Sequence, residues 1–396
     1  MQHTPDHAPA GQATAYSARL DVASGDSLHP TAADLIRAAE EVGYHDPRRL
    51  YRDGRRARLL LENAREATAE ALALTPGEVS FVPSGTHAVH LGLLGLLAGH
   101  SRAAGRPRVV TSAVEHSSVG QALDWATRTL REPPEIRSAP VDRLGRVDRP
   151  ALDELLEGAT LLALQAANPE VGTLQPIDDI AAGHPQLPIF CDLAAAVGRI
   201  PTAALPSTWS AAAASAHKWG GPAGVGLLLV RTGVRWRSPF PSDDRVDRRT
   251  VGFENIPAAI GAAAALRAVL ADVEATSAYC RALVTRLRTA LVSTIPDVEV
   301  VGDPDDRLPH VLTFSCLYVD GEALVLGLDR RGFSVSSGSA CAAESQTPSH
   351  VLAAMGALTH GNVRVSLSGD ATEQTVDALV AATAETVRSL RAEVGL

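Results

Sequence analysis

The stretch ASAHKWGGPAGVGLLLVR, residues 214–231, carries the signals that decide the fold of this 396-residue chain. It passes from small residues through His217 and Lys218 to a glycine-rich turn, and it ends on an apolar strand pattern. Lys218 is the only lysine among 36 lysine and arginine residues. A lysine at a strand end, beside glycines that let the backbone approach a flat ligand, is placed where its amine can form a Schiff base. A surface lysine beside a loop fits the same pattern.

Around this stretch, from about residue 78 to 231, short apolar runs alternate with helical patterns. This alternation predicts an α/β fold in which a mostly parallel sheet is covered by helices on both faces. Ligands of such sheets bind beyond the carboxyl ends of the strands. The candidate site residues are therefore those that follow the predicted strands: Ser84, Gly85, Thr86, Glu115, His116, Asn168, Asp192, Ser215, His217 and Lys218.

The pattern of apolar residues changes after about residue 257, where one long or kinked helix is predicted over 257–295. Beyond it, short strand patterns alternate with helices in an α+β arrangement. We therefore predict a disordered tail over residues 1–18, a large domain over 19–264 and a smaller C-terminal domain over 265–396.

Composition excludes several classes of protein. A net charge of −9, with no arginine cluster free of intervening acids, argues against a nucleic-acid binder. No run approaches the roughly 18 apolar residues of a membrane span, and the N-terminus lacks the pattern of a secretory signal. The four cysteines are scattered and form no CxxC pair, so neither a structural disulfide nor a metal site is expected. A reducing, cytoplasmic location is predicted.

Two of the strand-end positions suggest a specific cofactor chemistry. A buried acid such as Asp192 needs a cation, and a protonated pyridine nitrogen supplies one in pyridoxal 5′-phosphate (PLP). Helix N-capping by Asp192 is the alternative. His116 can stack on a ring or shuttle protons, although a lone histidine is more often structural. The turn PSGTH, residues 83–87, offers amides at a helix N-terminus to a phosphate.

The C-terminal region contributes a cysteine and an arginine. Cys341 lies among small residues in SSGSACAAES, which predicts an exposed loop and a reactive thiol. The other cysteines, Cys191, Cys280 and Cys316, lie in strand or helix patterns and fit inert apolar positions. Arg364, in GNVRVSLSG, is placed on a short strand where its guanidinium can hold a carboxylate.

Taken together, these motifs resemble the class V, fold-type I PLP-dependent transferases, and among them the cysteine desulfurases. SAHKWGGPAGVG is similar to the family's cofactor-lysine motif, and SSGSACAAESQTPSHVLAAMG is similar to its catalytic-cysteine loop. The similarity extends over TSAVEHSSV, NPEVGTLQPI, DLAAAVGRIP and VRVSLS, and so over nearly the whole chain from about residue 19.

The resemblance implies a role for each candidate residue in the conversion of L-cysteine to L-alanine. Lys218 would bind the cofactor covalently and shuttle the α-proton of the substrate. Cys341 would take the sulfur as a persulfide and pass it to a protein or small-molecule acceptor. A homodimer with its site at the interface is also implied. The remaining implied contacts are the pyridine nitrogen for Asp192, the cofactor ring for His116, the phosphate for Ser215, His217, Gly85, Thr86 and His87, and the substrate for Arg364 and Asn168.

The chain departs from the family pattern around the cofactor. Ala195 and Pro169 stand where the family has Gln and Asn partners of the phenolic oxygen, and Phe253 replaces a Thr that reaches the neighbouring subunit's phosphate. LDVASGDSLHP replaces LDNAATTPLDP, which puts Ser24, Gly25 and Asp26 beside the substrate. An active but re-tuned enzyme is expected.

Two alternative functions fit parts of the pattern. A selenocysteine or cysteine C–S lyase of the same fold would release free selenide or sulfide and would not need Cys341. A non-catalytic sulfur-carrier scaffold is favoured by the lost cofactor contacts, but the one lysine kept among 35 arginines counts against it. Natural products, tRNA, DNA and iron–sulfur assembly are all compatible acceptor pathways.

Overall fold

The computed structural model of the chain describes residues 17–100, 106–241, 243–337 and 348–395. Its main element is a seven-stranded sheet of order β2-β8-β7-β6-β5-β3-β4. The strands are β2 (Val79–Val82), β3 (Arg108–Ser112), β4 (Glu135–Ala139), β5 (Leu161–Gln165), β6 (Ile189–Asp192), β7 (Ala211–Ser215) and β8 (Gly226–Val230). Strands β7, β6, β5, β3 and β4 run parallel, and β8 pairs antiparallel with both β7 and the edge strand β2.

Helices cover both faces of this sheet. They are α1 (Pro30–Gly43), α2 (Arg52–Ala71), α3 (Gly85–His100), α4 (Ser117–Thr129), α5 (Arg149–Leu156), α6 (Ile177–Gly183) and α7 (Ile256–Ala271). Two apolar clusters fill the space between the helices and the two faces. Strands such as β5 and β7 are buried at every position, which is why their sequences are continuously apolar or small rather than alternating. The predicted α/β architecture is confirmed.

A second, three-stranded antiparallel sheet has the order β12-β10-β9. Its elements and neighbours are α8 (Val273–Thr294), β9 (Val298–Val301), β10 (Val311–Cys316), α9 (Gly321–Asp329), β11 (Phe333–Ser334), α10 (His350–Met355), β12 (Asn362–Ser366) and α11 (Glu373–Glu393). The short strand β1 (Ala18–Arg19) pairs with β11, and Asp21 bridges Ser366. Residues 18–21 thus lie against strands of the C-terminal region, ahead of the helices that cover the larger sheet.

The predicted long helix over 257–295 is a bent pair, α7 and α8, with an angle of 69° between them. Among the described residues, no single helix has the length and apolar composition of a membrane span, and only this bent pair reaches it jointly. Most of α7 is buried inside the fold, where it packs on α1 and α2.

Candidate active site

A cavity opens at the carboxyl edge of the seven-stranded sheet. Its empty volume is about 930 Å³, which includes the part that is continuous with the solvent. One of its sides comes from that edge, and the other comes from residues 22–23 and from residues 308–311 at the start of β10. Most residues predicted from the sequence line it: Gly85, Thr86, His116, Asp192, Ser215, His217 and Lys218. Among the described residues, the candidate positions outside its lining are Ser84, His87, Glu115, Asn168 and Arg364.

Lys218 reaches the cavity because the chain leaves β7 in a single 3₁₀ turn, Ala216–Trp219. The turn ends at Gly220, whose φ of 76° lies in the left-handed region that favours glycine. The Lys218 Nζ donates hydrogen bonds to the carbonyl oxygens of Ala23 and, at 3.2 Å, of Ser24. The amine is therefore held by the N-terminal segment that crosses the cavity.

Asp192 ends β6 at the floor of the cavity and is only 7% exposed. Its Oδ1 accepts a hydrogen bond from the Ala194 N–H at 2.9 Å. Burial raises the pKa of Asp192, while this hydrogen bond and the electrostatic interactions with His116 and Lys218 oppose the rise. A carboxylate in this position favours a cationic ligand group.

His116 follows β3 and caps α4: its Nδ1 accepts from the Ser118 N–H at 3.2 Å and lies 2.8 Å from the Ser118 Oγ. Burial lowers the pKa of His116, so its neutral form is favoured. One face of the site thus pairs a neutral imidazole with the Asp192 carboxylate.

The corner between β7 and the start of α3 is a cradle for an anion. A Cβ on Gly85 would lie 2.6 Å from the Ser215 Cβ, so only glycine lets the helix start approach this serine. The Ser215 Oγ lies 3.0 Å from the His217 Nδ1. The His87 N–H donates to the Ser84 Oγ at 3.0 Å, and the ring of His87 stacks on Phe240. The helix N-terminus and the hydroxyl together suit a phosphate.

Arg364 lies on β12, next to the cavity, with its side chain fixed by three contacts. Its Nη2 donates to the Asp21 Oδ1 at 2.9 Å and to the Ser24 Oγ at 2.7 Å, and its Nη1 donates to the Pro169 carbonyl at 3.4 Å. Its Nε has no partner among the described residues. The guanidinium thus keeps donor capacity beside the N-terminal segment.

Asn168 is completely buried, and its amide holds the turn after β5. Its Oδ1 accepts from the Glu170 and Val171 N–H groups at 2.8 and 2.9 Å, and its Nδ2 donates to the Val114 carbonyl at 3.0 Å. These contacts give no support to a substrate role for Asn168, which stays a prediction.

Cys341 lies outside the described residues, but the ends of the chain on either side of it are fixed. Ser336 and Arg364 exchange backbone hydrogen bonds at 3.2 and 2.7 Å. On the other side, Ser349 caps α10 and the His350 Nε2 lies 3.0 Å from the Glu115 carbonyl oxygen. The three described cysteines are buried, as predicted, and burial raises the pKa of each thiol.

Buried polar groups that the sequence analysis did not assign also surround the cavity. Arg199 donates to the Asp26 carboxylate at 2.8 Å and to the Lys218 carbonyl at 2.5 Å, and it lines the cavity together with His310. Arg199 belongs to the quoted motif DLAAAVGR, but nothing in the spacing separates it from a surface arginine. His310 does not follow a predicted strand, so the expectation that ligands bind beyond the carboxyl ends of strands could not identify it.

Glu115, a strand-end candidate, lies below this layer and does not line the cavity. Its Oε1 accepts from the Ser112 Oγ at 2.5 Å and the Gln165 N–H at 3.1 Å. Burial raises the pKa of Glu115 to about 8, and the nearby Asp192 contributes in the same direction. At neutral pH Glu115 is therefore protonated, and its hydrogen bonds join residues 112 and 165 beneath the site.

The residues present fit PLP in three respects. The amine of Lys218, the buried carboxylate of Asp192 and the anion cradle beside Gly85 suit its aldehyde, its pyridine nitrogen and its phosphate. One side of the cavity has fewer polar groups than the family pattern, because Ala195 and Pro169 line it without a polar side chain. Phe253 is 55% exposed, and Arg245 lies 5.0 Å over its ring.

Comparisons with known proteins agree with this geometry. A family model described as aminotransferase class-V matches residues 35–379. The chain is 32% identical over 355 residues to cysteine desulfurase NifS of Azotobacter vinelandii, covering 88% of this chain and 87% of NifS. It is 34% identical over 371 residues to an IscS-like cysteine desulfurase of Mycobacterium tuberculosis, covering 91% and 94%.

A solved NifS-like protein has the same fold, with a TM-score of 0.85, 24% identity and coverage of 94% of this chain and 100% of its own. The sequence relatives and the family model each span most of the chain, and the family model includes every described residue of the cavity from α3 onward. The chain therefore belongs to the aminotransferase class-V family and, within it, to the cysteine desulfurases, which are PLP-dependent sulfurtransferases.

Proposed function

We propose that this chain removes sulfur from L-cysteine, leaves L-alanine, and carries the sulfur as a persulfide on Cys341 for transfer to an acceptor. The observation that carries the proposal is the meeting of Lys218, Asp192 and His116 in one cavity, with Arg364 beside it. The names of the sequence relatives support the same reaction.

PLP would be held by Lys218, by Asp192 and by the cradle of Gly85, Thr86 and Ser215. When bound, the cofactor supplies an electron sink that stabilises negative charge on the α-carbon of the substrate. Asp192 suits this role because a buried carboxylate keeps a pyridine nitrogen protonated, and His116, neutral and half enclosed, suits contact with the ring face.

The protein groups then divide the work on the substrate. Arg364 would bind the carboxylate, and the Nζ of Lys218 would remove the α-proton and return a proton after the sulfur has left. Ala23 and Ser24 orient this amine through their carbonyl oxygens. The second proton-handling group is His116, which lines the same cavity.

The sulfur step needs a thiolate and no external oxidant. The Sγ of Cys341 would attack the sulfur of the substrate; an S–S bond forms while the C–S bond breaks, and the released carbon unit is protonated to L-alanine. L-cysteine and the enzyme thiol thus become L-alanine and the enzyme persulfide, with atoms and electrons in balance. The chain on both sides of Cys341 is anchored near the site, at Ser336 beside Arg364 and at His350 beside Glu115.

A homodimer and a cytoplasmic location belong to the same proposal. Large apolar side chains are exposed on α1 and α2, next to the ends of these helices and in the segment before α7: Leu28, Leu35, Tyr44, Leu50, Tyr51, Leu59, Phe240, Val251 and Phe253. These side chains are the candidates for burial between two subunits. Light scattering of the purified protein tests the dimer, and a monomer at micromolar concentration would contradict it.

The deciding experiment compares the PLP-loaded wild type with Cys341→Ser, each supplied with L-cysteine and a thiol reductant. We expect the wild type to form alanine and sulfide in equal amounts and the variant to form neither. Cys280→Ala, which removes a buried thiol, is the control and should keep turnover. Equal turnover by Cys341→Ser would make the protein a C–S lyase, and failure to bind PLP would make it a scaffold.

A further inference from the structure

The 3₁₀ turn that carries Lys218 is held along its backbone by the N-terminal segment of the chain. The Asp26 N–H donates to the His217 carbonyl at 2.7 Å, and the His29 N–H donates to the Gly220 carbonyl at 2.8 Å. These two bonds lie on either side of Lys218 in the sequence. The position of the turn therefore depends on a segment about 190 residues earlier in the chain.

Between these two bonds, the carbonyl of Lys218 itself is bound by Arg199. The Nη2 of Arg199 donates to the Lys218 carbonyl at 2.5 Å and to the Asp26 Oδ2 at 2.8 Å. The backbone of Arg199 is fixed in turn, because its carbonyl accepts from the Ser277 Oγ of α8 at 2.8 Å. One guanidinium nitrogen thus joins the lysine turn, the N-terminal segment and a residue anchored to α8.

The ion pair between Asp26 and Arg199 is partly shielded from solvent, since their side chains are 24% and 14% exposed. Hydrogen bonds between ionised groups are stronger than neutral ones, and salt screens enclosed pairs less than exposed pairs. The Nη2 atom has two hydrogens, and each of its two acceptors takes one of them. Asp26 therefore orients the guanidinium, and the guanidinium fixes the carbonyl of Lys218.

The amine end of Lys218 depends on the same part of the chain. Its Nζ donates to the carbonyl oxygens of Ala23 and, at 3.2 Å, of Ser24. These residues precede Asp26 by only two or three positions, so the ion pair that holds Asp26 also limits where their carbonyl groups can lie. Both the backbone and the amine of Lys218 are thus referred to residues 23–26.

The carboxylate of Asp26 also distinguishes this chain from the family pattern. The chain has LDVASGDSLHP over residues 20–30, and Asp26 stands where the pattern LDNAATTPLDP has its second threonine. Threonine has no charge to pair with an arginine. The ion pair with Arg199 is therefore a feature of the altered segment.

We propose that Asp26 and Arg199 are positioning residues for Lys218: their ion pair fixes the lysine turn against the N-terminal segment and so directs the Lys218 amine into the cavity. This inference rests on the proposed function for the chemical role of that amine. Asp26 and Arg199 act through the turn and through residues 23–24, and neither transfers a proton.

The test uses the fact that Lys218 is the only lysine of the chain, so its amine can be followed by itself. The full-length wild type, Asp26→Ala, Arg199→Gln and the double variant are prepared both loaded with PLP and freed of it. Acetic anhydride treatment of the PLP-free samples, with mass spectrometry of residues 214–231, gives the acetylation rate of the amine. Absorbance titration gives the Kd of PLP, and steady-state assays give kcat and KM for L-cysteine.

Asp377→Ala is the matched control. Asp377 forms an ion pair with Arg286 through two hydrogen bonds of 2.7 Å, and neither residue lines the cavity. This variant also loses an aspartate–arginine pair, but the loss lies away from the lysine turn. Asp26→Glu, which keeps the carboxylate, tests whether the charge itself is needed.

We expect Asp26→Ala and Arg199→Gln each to raise the acetylation rate of Lys218 and the Kd of PLP roughly two- to tenfold, because the amine loses its fixed carbonyl partners. The kcat should fall by a similar factor, with a smaller change in KM. The double variant should be no worse than the more affected single variant, since the two side chains act as one pair. Asp26→Glu should recover part of the loss, and Asp377→Ala should behave as the wild type.

Three results would overturn the inference: wild-type acetylation and PLP binding in both single variants, additive effects in the double variant, or the same changes in Asp377→Ala. Urea unfolding of each variant shows whether its fold is kept. If Asp26→Ala does not fold, Asp26→Asn, which keeps the size of the side chain and loses its charge, carries the same comparison.

The two proposals fail separately. Wild-type protein that makes no alanine from L-cysteine contradicts the proposed function. The acetylation rate of Lys218 still decides the role of Asp26 and Arg199, because that reaction needs neither the cofactor nor the substrate.

Discussion

The cavity has two walls, and they are built from the sequence in different ways. The sheet wall consists of Gly85, Thr86, His116, Asp192, Ser215 and Lys218. The opposite wall consists of Val22, Ala23, Leu308, His310 and Val311. Arg364 lies beside this wall and is hydrogen-bonded to Asp21 and Ser24. The sheet wall follows strand ends of one sheet, whereas the opposite wall joins the N-terminal segment to strands more than 280 residues away.

The two walls differ in their proposed roles: the sheet wall serves the chemistry, and the opposite wall serves substrate binding. In the sheet wall, parallel strands bring an amine, a carboxylate and an imidazole to one edge, the proposed place of the PLP chemistry. On the opposite side, the guanidinium of Arg364 is the group proposed to bind the substrate carboxylate. Changes to the sheet wall should therefore act on kcat, and changes to the opposite wall should act on KM.

The largest effect is expected for Lys218→Arg in the sheet wall. Arginine keeps the positive charge, but a guanidinium stays protonated and is no amine nucleophile. Turnover of L-cysteine should fall by roughly 10³-fold or more. Borohydride reduction followed by peptide mapping should attach the cofactor to the 214–231 stretch in the wild type only, and turnover by the variant would contradict the assignment.

Arg364→Lys should produce the largest effect in the opposite wall. Lysine keeps the charge but loses the planar fork that holds a carboxylate in two bonds. KM for L-cysteine should rise roughly 10- to 100-fold, from a loss of about 1.5–3 kcal/mol, while kcat falls much less. Steady-state kinetics measures both constants, and a fall in kcat at constant KM would remove the distinction between the walls.

A smaller change in the same direction is expected for Ser24→Ala. The Ser24 Oγ accepts from Arg364 at 2.7 Å, and its loss frees the guanidinium to rotate. KM should rise about two- to tenfold, the range that one ordinary hydrogen bond supplies. Ser27→Ala is the control, because the Ser27 Oγ is bonded to Arg19 and not to a residue of the cavity. Equal effects of the two variants would show that only the segment's stability matters.

Glu115→Gln should affect turnover least and should change the pH dependence of stability. The folded pKa of Glu115 is about 8, above its ordinary value of 4.5, so the native state binds a proton that the unfolded state has lost. This contribution is fully present below pH 4.5 and is lost as the pH rises through 8, by up to about 1.4 kcal/mol per pH unit.

Urea unfolding of the wild type and Glu115→Gln between pH 5 and 8.5 measures the effect. The variant should gain stability relative to the wild type as the pH rises. Glu66→Gln, at an exposed position, should follow the wild type. Parallel curves for Glu115→Gln and the wild type would show that Glu115 is ionised across this range.

The sequence predicted the sheet wall nearly completely, and it did so for a physical reason. In a parallel sheet a residue that ends a strand lies at the ligand edge, so position in the sequence fixes position in space. Asp192, Ser215 and Lys218 follow this rule, and all three line the cavity. Asn168 follows it too, but its amide is used by the turn.

The opposite wall was predicted only in part. Arg364 was recognised from its residue type, and Ser24 from its position near the substrate in the family pattern. His310 and Arg199 were missed, because no local pattern distinguishes a histidine before an antiparallel strand from a structural one. The hydrogen bond between Ser24 and Arg364 joins positions 340 residues apart, a separation that periodicity cannot read.

The sequence alone therefore determined the α/β fold, the amine and carboxylate that suit PLP, and the membership of a family of sulfurtransferases. Hydrophobic periodicity and strand ends are local properties, so they can be recognised in the sequence before the fold is known. Only the tertiary structure decided which titratable side chains are buried and which groups surround them. Burial raises the pKa of Glu115 and leaves the Nδ1 of His310 without a partner among the described residues, and burial depends on every element that packs around a residue.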